Sequence, residues 1–196
     1  MKGTVSDSVQ IYFVTNNTHK YLEVKIIAEK YGFKLIQLTG EKIEIQSNDL
    51  GKIAKISALN AFAKLEKPVL VEDAGLFIKA FRGFPGPYSS YVFKTIGCQG
   101  ILKLLDGVLD RCAWFKSVSV LIYEPFILTG EGIVEGIIST EPRGSRGFGF
   151  DPIFIPKGAT KTFAEMDIEE KNKFSHRAKS VESVFSRLIK YLRTLG

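Results

Sequence analysis

CAWFKSVSVLIYEPFILTGEGIVEGII, residues 112–138, contains two long β-rich runs, 112–123 and 126–138, broken only at Glu124-Pro125. Aromatic and branched residues favour strands, and a proline at the break fits a turn better than a ladder. The stretch therefore predicts a hairpin, and a hairpin makes part of the sheet antiparallel. Working outward, 10–15 reads as a first strand and 33–38 as a second. Between them a helix is predicted over 18–31, with Leu22, Ile26 and Ile27 on its apolar side and Gly32 ending it in the left-handed cap conformation. Residues 50–65 carry a helical stripe of Leu50, Ile53, Ala54, Ala58, Ala61, Phe62 and Leu65.

Residues 68–72 read as a short apolar strand with carboxylates at its end, pairing with 76–81. Two prolines and two glycines make 83–87 a stiff loop. Helical segments follow over 89–96 and 101–105, a glycine-rich loop over 141–151, and a short strand over 153–155. The last helix runs over 177–192, with Val181, Val184, Phe185, Leu188 and Leu192 inward and Ser175 as N-cap. The expectation is an α/β fold, a long mixed β-sheet flanked by helices. No linker or repeat divides it, so 1–196 is read as a single domain, with 1–9 as a flexible N-terminal extension.

Composition narrows the class. With 196 residues the chain can bury about 70% of its unfolded surface without staples. A hydrophobic fraction of 45% and a charged fraction of 24% exclude disorder and collagen. Cys98 and Cys112 are too few for a disulfide framework. No signal-like or membrane-length apolar run is present, so a cytoplasmic protein with reduced thiols is expected. The net charge of +6 suits an anionic ligand and equally an ordinary basic surface. No Walker loop, HExxH, GxSxG or CxxC occurs, and with only His19 and His176 a multi-histidine zinc site is not expected.

Four blocks hold chemistry-bearing residues. Thr15-Asn16-Asn17-Thr18-His19-Lys20 joins strand to helix, where free N–H groups and the dipole favour an anion. A lysine in a helix's first turn is unfavourable unless something negative sits near it; the plain alternative is a cap with an exposed lysine. Glu72 and Asp73 precede Ala74-Gly75, and strand alternation points the two carboxylates apart. Gly147-Phe148-Gly149-Phe150-Asp151-Pro152 offers aromatics for stacking and glycines for close approach, or simply a turn with its phenylalanines in the core. Lys171, His176 and Arg177 gather cations at a helix start, suited to an anion or a base edge, or to a solvated basic turn. A nucleoside triphosphate with a divalent metal would use all four blocks.

At these residues the chain closely resembles the inosine triphosphate pyrophosphatase family. The ordered blocks are Phe-Val-Thr-Asn-Asn-Thr-His-Lys at 13–20, Val-Glu-Asp-Ala-Gly-Leu at 71–76, Gly-Phe-Pro-Gly-Pro-Tyr-Ser at 83–89, Gly-Phe-Gly-Phe-Asp-Pro-Ile-Phe at 147–154, Lys-Thr-Phe-Ala-Glu-Met at 161–166 and Ser-His-Arg at 175–177. The resemblance implies two lobes around a central nucleotide-binding cleft. It implies Mg²⁺-dependent hydrolysis of ITP, dITP and XTP to the monophosphate and pyrophosphate, usually by a homodimer, with neither nucleic acid nor membrane as partner. By motif, Thr15, Asn16 or Asn17, and Lys20 would hold phosphates, with Lys171 also at the leaving pyrophosphate. Asp73 would be base and metal ligand, and Glu44 the second metal carboxylate. Phe148, Gly149, Phe150 and Asp151 would bound the base pocket, and Lys171, His176 and Arg177 would complete it. Lys55, with Lys52 and Lys64 as alternatives, would be the family's lysine on helix 50–65. The first block departs from the family's usual Thr-Gly-Asn, and Ala74 stands where Ser or Thr is common. Two rivals stand beside this reading: a basic nucleic-acid-binding module, and a pyrophosphatase for modified pyrimidine nucleotides.

Overall fold

A computed structural model describes residues 9–195. Most of the expected 1–9 extension lies outside that range. Strands β1 (Gln10–Val14) and β2 (Lys34–Leu38) pair in parallel, with α1 (Thr18–Lys30) as the crossover. Helix α2 (Leu50–Leu65) leads to β3 (Val69–Ile78), which pairs in parallel with β1 and antiparallel with a two-residue strand, β4 (Pro85–Gly86). Helix α3 (Ser89–Leu104) precedes the long hairpin β5 (Cys112–Tyr123) and β6 (Phe126–Ile138), and β7 (Phe154–Pro156) closes the far edge. Helices α4 (Ile168–Phe174) and α5 (His176–Leu195) complete the chain. The sheet order is β2-β1-β3-β5-β6-β7, with β4 on the side of β3, so the sheet is mixed as expected.

Three apolar clusters surround it. One packs α1 and α5 against one face, through Ile11, Val24, Ile27, Val181, Phe185 and Leu188. A second packs α2 on the opposite face, over Val69, Val71, Val118 and Val120. The third gathers Leu76, Ile101, Phe115, Phe154 and Phe163 at the distal end.

Several local expectations are corrected. The carboxylates do not end a strand: β3 runs unbroken through Glu72 and Asp73, because the twelve-residue β5 offers a partner to all ten of its positions. Segments 68–72 and 76–81 are therefore not paired strands but one strand and a short 3-10 turn. The two helical segments expected over 89–105 are present, parted within α3 by a non-helical Gly97 (φ 63°). Leu22 is exposed, and α1 turns Glu23, Val24, Ile27 and Ala28 inward instead. Helix α4 was not anticipated.

Candidate active site

The turn after β1 is built from its own side chains. The Thr15 hydroxyl accepts from the Asn17 N–H at 3.1 Å. Asn17 caps α1, its Oδ1 accepting from the Lys20 N–H at 3.1 Å. Asn16 faces away from the turn. Its amide donates to the Gly40 carbonyl at 3.0 Å and accepts from the Gly40 N–H at 2.9 Å. Of the two asparagines, Asn17 therefore keeps both Nδ2 N–H groups free of described partners, and Asn16 keeps one.

Beyond β2 an irregular strap, 39–49, crosses towards α2. Ser57 of α2 donates to the Ile43 carbonyl at 2.5 Å. Lys42 and Glu44 pair at 2.8 Å within the strap. A cavity of about 160 Å³ lies between strap and helix, lined in part by Gly40, Lys42, Ser57 and Lys64. Strand alternation places Asp73 on the α2 face with Val69 and Val71, opposite Glu72. Burial raises the Asp73 carboxyl above its ordinary range against the opposing pull of Lys20 and Lys42, and Glu72 and Glu44 push the same way as burial. Glu44 is held below its ordinary range: burial works against it, but Lys42, Lys20 and Lys94 outweigh burial. Asp73 and Glu44 thus share one electrostatic neighbourhood.

Glu72 belongs to the other face, in a buried charge network. Lys20 meets Glu72 at 2.8 Å. Arg177 meets Glu72 at 3.2 Å and Glu23 at 2.6 Å. Lys171 meets Glu23 at 2.7 Å and Asp151 at 2.6 Å. Three cations thus match three carboxylates, which is how charges are tolerated away from water. Burial opposes ionisation of Glu72, but Arg177 and Lys20 hold its carboxyl far below the usual range. A hydroxyl chain extends the network: Ser117 donates to Glu72 at 2.6 Å and touches Ser180 at 2.9 Å, and Ser180 reaches Ser119 at 2.8 Å.

Asp151 pins the aromatic loop by accepting from the Phe148 N–H at 2.9 Å. A Cβ on Gly147 would come within 2.1 Å of that carboxylate, so the glycine is required there. Phe148 is half-buried; Lys171 lies 5.0 Å and Arg177 5.3 Å from its ring centre, and exposed His19 stacks on it at 5.6 Å. Gly149 (φ 60°) borders open space. Phe150 is core: it is 2% exposed and packs edge-on against Phe93, so it does not line an open pocket. His176 stacks on Phe115 at 4.7 Å, and burial pushes its imidazole well below the ordinary value, with Arg177 adding to the effect.

The structure thus brings Thr15, Asn17, Lys20, Asp73 and Glu44 to one end, and Phe148, Gly149, Asp151, Lys171, His176 and Arg177 to the other. The Lys20–Glu72–Arg177 contacts join the two. Lys171 is 3% exposed, paired with Glu23 and Asp151, and lies 5.0 Å from the centre of the Phe148 ring. Ala74 lies beside Asp73 and adds no polar group. Lys52 and Lys55 project from the exposed side of α2, and only Lys64 lines the strap cavity. Sequence reasoning missed Glu23, His19, Lys42, Lys94 and the serine chain.

A larger cavity, about 620 Å³, lies on the distal sheet face near Trp114 and Ile137. Its lysines, Lys79 and Lys157, are already paired with Asp110 and Glu135, and no catalytic group faces it.

Comparison with known proteins bears on this arrangement. A family model described as the Ham1 family matches residues 11–187. The chain belongs to the Ham1 family. This Ham1 chain is 49% identical over 186 residues to a protein of Hyperthermus butylicus named dITP/XTP pyrophosphatase, covering 95% of this chain and 96% of that one. It is 48% identical to a Saccharolobus solfataricus protein of the same name, covering 95% of each. A solved HAM1 protein from Coxiella burnetii superposes with a TM-score of 0.80 at 30% identity, over 93% of this chain and 99% of that one.

Proposed function

We propose that this Ham1 protein hydrolyses dITP, XTP and ITP to the nucleoside monophosphate and pyrophosphate, acting as a cytoplasmic homodimer of two-lobed subunits. The observation that carries the reading is the convergence of two carboxylates, Asp73 and Glu44, on a phosphate-ready helix start. A separate cation–aromatic cluster of Phe148, Lys171 and Arg177 lies at the far end of the same charge network. No helix among the described residues is long and apolar enough to cross a membrane.

Triphosphate oxygens would meet the Asn17 amide, the Thr15–Lys20 turn and the Lys20 ammonium. The donor set fits Mg²⁺, which takes one or two carboxylates plus substrate phosphates: Asp73 joins none of the described ion pairs, and Glu44 carries a single lysine. Glu44 and Asp73 would hold the ion, which when bound neutralises phosphate oxygens. Mg²⁺ usually keeps several waters, so two protein carboxylates and substrate phosphate would be an ordinary set for it. Asp73 takes the proton from the water that attacks the α-phosphorus. Burial favours that role by making its carboxylate a stronger base than an exposed one.

At the base end, the Phe148 ring supplies stacking. Phe148 and Asp151 have spent their N–H groups inside the loop, on the Asp151 carboxylate and the Phe148 carbonyl. The Gly149 and Phe150 N–H groups make no bond within the loop and are left to donate to a 6-oxo group, while Arg177 stays in its carboxylate network. A 6-amino purine would leave those donors unpaired, which can cost several powers of ten in kcat/KM.

Pyrophosphate release with Mg²⁺ across dITP, ITP, XTP, dATP, dUTP and 5-methyl-UTP tests the reading. The three oxo-purines should lead dATP by at least about a hundredfold. Preference for either pyrimidine would overturn it in favour of a pyrimidine house-cleaning enzyme.

A further inference from the structure

We propose that Asn16 is a positioning residue, whose side-chain amide fastens the 39–49 strap to the phosphate turn and so fixes Glu44 beside Asp73. The proposal rests on the reading of Glu44 and Asp73 as metal carboxylates given above.

The strap has no ladder partner. After Thr15 N–H reaches the Leu38 carbonyl at 3.1 Å, the chain leaves the sheet through Gly40 at φ 139°. Between there and Glu44, two side chains of the rest of the protein hydrogen-bond to it among the described residues. One is Asn16, whose amide makes the reciprocal pair with the Gly40 backbone, at 3.0 and 2.9 Å. The other is the Ser57 hydroxyl on the Ile43 carbonyl. Glu44 follows directly, so its reach towards Asp73 depends on both.

The Asn16 contact spans 24 positions, so it is not a local turn device. A primary amide that donates and accepts at one residue reproduces a single rung of a sheet, and here it extends the β1–β2 pairing one step past the strands. The same two bonds take the amide oxygen and one of its two N–H groups, so the side chain is oriented by Gly40 and one N–H is left over.

Asn16→Gly in the full-length protein separates the outcomes. Without substrate or metal, trypsin cleavage after Lys42, mapped by mass spectrometry, reads strap opening. It should accelerate about thirtyfold, the factor corresponding to the two net hydrogen bonds lost. The Mg²⁺ concentration for half-maximal dITP hydrolysis should rise by a similar factor, while KM for dITP at saturating Mg²⁺ stays as in the parent. Ser57→Ala, which releases the other anchor, should move both readouts the same way. Unchanged cleavage after Lys42 overturns the fastening, and faster cleavage with an unchanged Mg²⁺ requirement overturns the positioning. If the parent protein hydrolyses no oxo-purine triphosphate, the functional reading fails on its own account, and the cleavage arm still reports on the clasp.

Discussion

Asp73 and Glu72 are neighbours in sequence and opposites in environment. Glu72 is buried between Lys20 and Arg177 and is structural; Asp73 is held by no ion pair among those described and faces the strap. Asp73→Asn should cut kcat by about a thousandfold while nucleotide binding, measured by calorimetry, survives. Wild-type turnover in the variant would remove Asp73 as base. Phe148→Ala should weaken nucleotide binding by about 1–3 kcal/mol for favoured and disfavoured bases alike, because stacking carries little choice; a loss confined to 6-oxo purines would contradict that. At this scale the pleat made the divergence of Glu72 and Asp73 legible from alternation alone. Glu23 was not legible, since an acid on a helix reads as solvent-facing until its partners, 148 and 154 positions away, are known. Phe150 misleads for the same reason: the glycine–phenylalanine alternation shows that rings are presented but not which of them is core.

The elements are held at their positions by places where no side chain fits. A Cβ on Gly132 of β6 would lie 2.0 Å from the His176 carbonyl and 2.7 Å from the Ser180 nitrogen, both backbone atoms of α5. Gly132→Ala should therefore lift the start of α5 off the sheet, costing about 3 kcal/mol in chemical denaturation and raising KM through Arg177; unchanged stability would show that α5 is not seated this closely. Strong periodicity made α2, α5 and the hairpin readable, because their buried stripes repeat over many turns or rungs. Strand β3 was truncated in the reading because Glu72-Asp73 looks like a strand end locally. Only the long β5 partner, remote in sequence, carries the ladder through them. The short α4 has too few turns to show a period.

Across the whole molecule, two buried cations, the partly exposed Lys20 and three buried carboxylates tie α1, β3, the aromatic loop, α4 and α5 together. Glu23→Gln leaves one positive charge in excess and should cost about 3 kcal/mol, or about 10 °C in Tm for a chain of this size. A shift of only a degree or two would mean that the network contributes little. Acid should act in two stages. His176 stays neutral when folded and gains a proton more readily when unfolded, so stability falls as pH drops below about 6.5. Glu23 and Glu72, whose folded carboxyls lie below 4.5, contribute stability fully above that pH and lose it progressively below. Urea midpoints measured between pH 8 and pH 3 should show both falls, and the first should vanish in His176→Gln.

The central claim is that Asp73, Glu44 and Lys20 direct water onto the α-phosphorus of a bound triphosphate. Hydrolysis of dITP in ¹⁸O-labelled water, followed by mass spectrometry of the products, tests it most directly. The account predicts one labelled oxygen in the nucleoside monophosphate and none in the pyrophosphate. Label in the pyrophosphate, or orthophosphate as the product, would contradict it.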